Sequence, residues 1–128
     1  MKNLSHEDIE QINTMKNYLD SLPAAVNSKK AYCFLITREE INALLEQKNN
    51  GHSLDGLRVY LGANLIEGHA IPNIHVVACE KDAHDDFNDF EPANHASIEK
   101  NSNGKSFPLV AKGRPCPTAC GKNNLIKL

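Results

Sequence analysis

The chain has 128 residues, 41% apolar and 23% charged. That is one domain's length, able to bury roughly 65–70% of its unfolded surface. Its ordinary globular usage argues against wholesale disorder, collagen and coiled coil. Lys and Arg number 14 and Asp and Glu 16, a net charge of −2, so total charge excludes a strongly basic nucleic-acid binder.

The opening residues Met1 to Asp8 carry neither an apolar h-region nor a small-residue cleavage site. No run approaches the about 18 apolar residues that a spanning helix needs. The expectation is a soluble, cytoplasmic protein with no membrane partner. Its four cysteines (Cys33, Cys79, Cys116, Cys120) are then expected to stay mostly reduced.

Ser5 and Asp8 form a capping-box-like pair ahead of an apolar stripe, Ile9, Ile12, Met15, Leu19 and Leu22. This predicts a helix over about 5–21, stopped by Pro23. The stripe reads as a cover for the protein's own core, with a partner-binding helix as the alternative. Ala31 to Ile36 is a short strand-forming run. Thr37 and Glu40 then make a second capping box before a helix from Arg38 to about Lys48. That helix buries Ile41, Leu44 and Leu45 and stops at Asn49-Asn50-Gly51. Asp55-Gly56 signals a turn, and Leu57 to Leu61 alternates as a half-buried strand does. Gly62 to Asn73 reads as a connection, followed by a strand at Ile74 to Cys79, hence a hairpin with a long loop.

From Glu80 to Glu99 there are seven acidic residues and one lysine. From Lys100 onward there are six basic residues and no acidic one. Residues 82–107 show no sustained period and read mostly as loop, with a short helix possible at Pro92 to Glu99. The elements predict an α+β fold in one domain, residues 1–128. It has a small mixed or antiparallel sheet, two helices on one face and a long irregular C-terminal segment.

Strand alternation yields a candidate site. Leu57, Val59 and Leu61 point one way and Arg58 and Tyr60 the other; Ile74, Val76 and Ala78 oppose His75, Val77 and Cys79. The apolar sets are expected to face the helices. Arg58, Tyr60, His75 and Cys79 then share the opposite face. Arg58 offers a charged planar fork for carboxylate or phosphate, Tyr60 a donor on an aromatic body, and His75 a group titrating near neutrality. Such a set suits a small anionic ligand or, alternatively, acid/base work by Tyr60 and His75. The plainer alternative is a solvated face whose polar groups are satisfied locally.

Gly113-Arg114-Pro115-Cys116-Pro117-Thr118-Ala119-Cys120-Gly121 is the most unusual string. A helical turn here would put Cys116 and Cys120 on one side. Three readings stay open: a zinc clip with Cys116 and Cys120 as metal ligands, a disulfide or redox pair, or a structured tail of packed thiols. Asp82 to Asp89 lacks the glycine and flanking helices of a calcium loop and reads as a solvated acidic loop. The six histidines form no HExxH, and there is no GxGxxG or Walker loop. The acidic stretch and basic tail either neutralise each other or leave the tail for a polyanion, though only Phe107 interleaves.

Phe34-Leu-Ile-Thr-Arg-Glu-Glu-Ile, Asp55-Gly-Leu-Arg-Val-Tyr-Leu-Gly and Gly113-Arg-Pro-Cys-Pro-Thr-Ala-Cys together resemble a group of small uncharacterised bacterial proteins. That group carries a "GhRhYhG" strand and ends in a proline-flanked cysteine pair. The resemblance spans roughly residues 31–121. It implies that Arg58, Tyr60, Cys116 and Cys120 are more than incidental, and it implies no activity. The leading expectation is therefore a binding or interaction module, for a small anionic molecule or another protein, rather than an enzyme. A thiol-centred metal or redox protein is the runner-up, and an enzyme using Tyr60 and His75 comes third.

Overall fold

The computed structural model describes residues 1–47, 54–91 and 109–116. In chain order the elements are α1 (His6–Asp20), α2 (Ala24–Asn27), β1 (Cys33–Leu35), α3 (Arg38–Leu45), β2 (Gly56–Ile66), β3 (His69–Lys81), β4 (Phe87–Asp89) and β5 (Arg114–Cys116). The class is α+β, with a three-stranded sheet in the order β2-β3-β4 and a two-stranded sheet pairing β1 with β5. The β3–β4 and β1–β5 pairs are antiparallel. No helix among the described residues is long and apolar enough to cross a membrane.

Both predicted capping boxes form. Ser5 accepts from the Asp8 amide and Asp8 accepts from the Ser5 amide, satisfying two donors that a helix start leaves free. Thr37 and Glu40 do the same for α3. The apolar stripe of α1 is buried only toward its end: Leu19 is buried, whereas Ile12 and Met15 are exposed.

The described residues fall into two compact units. One takes in Met1–Leu35, Gly62–Asn73 and the segment from Arg114; the other takes in Ile36–Leu61 and Ile74–Gly113. In the second unit, Leu44, Leu54, Val76, Ala78 and Ala111 form the core, with Ile36, Leu45, Ile74 and Phe90 packed against it. This matches the parity expected for β3, whose Val76 and Ala78 are fully buried. Ala111 closes the core by exchanging both backbone hydrogen bonds with Val76, at 2.8 and 3.0 Å.

Two expectations need correcting. The Gly62 to Asn73 connection is mostly strand, because β2 runs to Ile66 and β3 starts at His69. The turn is only Glu67-Gly68, at φ of 50° and 79°. Two successive positive φ values are the type I′ pattern, whose twist matches that of the flanking strands. The glycines and Pro72 had suggested loop, yet Pro72 lies within β3. Second, the apolar set of β2 is not covered: Val59 and Leu61 keep 53% and 83% of their surface exposed. β3 is the central strand and takes the cover of Leu44, while β2 lies at the sheet margin among the described residues.

Candidate functional site

The site depends on the turn that brings β4 back along β3. The Asp82 carboxylate accepts the amides of His84 and Asp86, at 2.8 and 3.0 Å, and the side-chain amide of Asn88 at 3.0 Å. These bonds, led by the Asp86 amide, hold the Asp82 carboxyl below its ordinary range. Asp85 completes the turn in the left-handed region at φ 64°. An Asp side chain that binds amides ahead of it is a turn device, so the acidic string acts here as a corner.

Beyond that corner, Asp89 stands opposite Cys79 in the β3–β4 register. Asp89 becomes the hub of the face. Arg58 donates from Nη1 to Asp89 Oδ1 at 2.7 Å and from Nη2 to the Phe87 carbonyl at 2.8 Å. The Tyr60 hydroxyl donates to Asp89 Oδ2, and the Cys79 thiol reaches Asp89 Oδ1 at 3.5 Å. Strand alternation explains the convergence, since Arg58 and Tyr60 are two apart on β2. A Cβ added to Gly56 would lie 3.8 Å from the Phe87 ring, so both belong to the same face.

The electrostatics follow from this hub. Bonding to the Asp89 carboxylate raises the Tyr60 phenol above its usual value and keeps it a neutral donor. Burial, then the same carboxylate, pushes the Cys79 thiol up, while Arg58 opposes the shift. Cys79 is therefore a poor nucleophile, since the thiolate is the reactive form. Tyr60 and the nearby charges hold the Arg58 guanidinium above its ordinary value.

Beside the hub lies a shallow depression of about 450 Å³, lined by Gly56, Leu57, Arg58, Val59, Cys79 and Phe87. Among the described residues of that lining, Arg58 is the only charged group. Its Nη1 and Nη2 donate to Asp89 and the Phe87 carbonyl, and its side chain remains 39% exposed. Asp89 and the Phe87 carbonyl thus orient the guanidinium without covering it.

Of the residues expected at the site, Arg58, Tyr60 and Cys79 come together around Asp89. His75 is half-buried on β3 and, by two-residue alternation, shares the face of Cys79. Cys116 is buried in β5 and its sulfur is in a disulfide, against the expectation of reduced cysteines, whereas Cys33 and Cys79 are free thiols as expected. Cys120, the short helix expected at Pro92 to Glu99 and most of the basic tail lie outside the described residues. Among the described residues, no three His, Cys, Asp or Glu side chains are grouped to hold a metal. Asp89 was missed because β4 has only three residues, too few for alternation to show. The available signal was the Asp82 turn, which places Asp89 on a returning strand.

Comparison with protein-family models, curated proteins and solved structures finds no match for this chain.

Proposed function

We propose that this chain is a small binding module that takes a molecule with an anionic head and an apolar body on the face bearing Arg58, Tyr60 and His75. The observation that carries the reading is the Arg58 guanidinium, oriented by two protein oxygens yet part-exposed, in the lining of a depression that Gly56, Leu57, Val59, Cys79 and Phe87 also line. A mostly apolar pocket with one directional polar group is the usual makeup of a small-molecule site. A planar guanidinium fixed in advance meets a carboxylate or phosphate with little further ordering. Tyr60 gives its one O–H to Asp89 and so helps fix the carboxylate that orients Arg58.

The test is a thermal-shift panel of aliphatic and aromatic carboxylates and phosphates, run on wild type, Arg58→Ala and Arg58→Lys. Wild type should be stabilised by at least one anion with an apolar body. Arg58→Ala should lose that shift, and Arg58→Lys should keep only part of it because Lys lacks the fork. Equal shifts in wild type and Arg58→Ala would remove Arg58 as the anchor.

A further inference from the structure

The three-stranded sheet ends in two edges of different character. β4 is three residues long and carries Asp89, and short or charged strands are how proteins keep an edge from pairing with another chain. β2 has eleven residues, no proline and a single charged side chain, Arg58, which Asp89 already engages. Among the described residues β3 is its one neighbour, so its outer backbone donors and acceptors present a template for a further strand. The side chains are open as well. Val59, Tyr60 and Leu61 are successive and all exposed, so both faces of the strand reach solvent there.

We propose that the outer edge of β2 pairs antiparallel with the same strand of a second copy of this chain. A two-fold axis perpendicular to the sheet sets one residue opposite itself. Every other residue then faces one of its own parity, and opposed residues project to the same side. Leu57, Val59 and Leu61 thus join the apolar face of the second copy, and Arg58 and Tyr60 join its polar face. Charge selects the register. Centring on Arg58 would oppose two guanidinium groups, which is unfavourable. Centring on Val59 sets Leu57 opposite Leu61 of the second copy. It also sets Arg58 opposite the second copy's Tyr60, the residue whose hydroxyl bonds Asp89. Each cation then stands beside the acidic hub of the other copy, and symmetry makes the contact twice. The pairing consumes the open edge of both copies and leaves the guarded β4 edges outermost, so it stops at a dimer. It needs no bound anion, and Leu61 does not line the depression beside Arg58.

Sedimentation velocity on the full-length protein tests the proposal, run from about 1 μM to about 1 mM to span weak and moderate affinities. The expected result is a concentration-dependent shift from the mass of one chain to that of two. Leu61→Lys should weaken the dimer by about tenfold or more, because it removes apolar contact in both symmetry-related places. Leu61 is 83% exposed, so lysine there leaves the fold of the single chain intact. Met15→Lys, at an exposed apolar position on α1, should leave the dimer as tight as wild type. Hydrogen exchange of wild type gives a readout that needs no variant: amides within 57–61 should exchange more slowly as concentration rises. A single-chain mass at every concentration would overturn the proposal. So would a dimer that Leu61→Lys leaves unchanged, or one that Met15→Lys weakens instead. Amides within 57–61 protected equally at every concentration would overturn it too, since the chain would then fill its own edge. The anion-induced thermal shift of Leu61→Lys should match wild type, so the pairing and the anion site can fail separately.

Discussion

Asp20 gathers three donors at the end of α1. Lys16 and Lys30 approach it at 2.8 and 2.6 Å, and the Tyr32 hydroxyl bonds the same carboxylate. Both ammonium groups also lie over the Tyr32 ring, 5.5 and 4.9 Å from its centre. Lys16 first, then Lys30 and Tyr32, hold the Asp20 carboxyl far below the ordinary carboxylate range. A carboxyl lowered by folding supports the fold above its unfolded pKa, near 4, and loses that support as the pH falls. Asp20→Asn should therefore lower Tm at neutral pH, with the gap to wild type closing progressively below about pH 4. Differential scanning calorimetry across that range checks it, and a gap constant with pH would count against the assignment. The acidity of Asp20 could not be read from the sequence, because its partners lie 4, 10 and 12 positions away.

At the scale of elements, the β2–β3 turn sets the register of everything on the sheet face. Glu67 occupies a left-handed position that costs most side chains roughly 1–2 kcal/mol. Asn tolerates that region better. Glu67→Asn should therefore stabilise the protein by about 1 kcal/mol, and Gly68→Ala should destabilise it by a similar amount. Urea denaturation measures both, and a stabilising Gly68→Ala would contradict the turn assignment. The local devices were legible in advance. Both capping boxes are read from residues three apart, and the β3 face from simple alternation. The turn was not, since Glu-Gly is a weaker hairpin signal than Asn-Gly and Pro72 reads as a breaker. Nor were β4 and β5, whose three residues carry no period and whose places are set by remote partners.

For the whole molecule, the α+β class and the convergence of Arg58, Tyr60 and Cys79 followed from patterning. Asp89 as hub and Cys33 as the opposite number of Cys116 did not, because both depend on pairings made only in the folded chain. The same contrast governs the order of assembly. A two-residue turn closes its hairpin with almost no chain to constrain, and hairpins form in microseconds. The β1–β5 ladder must instead join positions 33 and 116, and loop-closure entropy rises with the chain enclosed. In pulse-labelled hydrogen exchange, amides across the β2–β3 hairpin should be protected early. The Tyr32 amide, which donates to the Cys116 carbonyl at 2.8 Å, should be protected last. Simultaneous protection would mean that another contact nucleates the fold. If it does come last, nascent chains present all of β1, Cys33 included, before its partner strand arrives. The closing ladder is then the step that first brings Cys33 opposite Cys116.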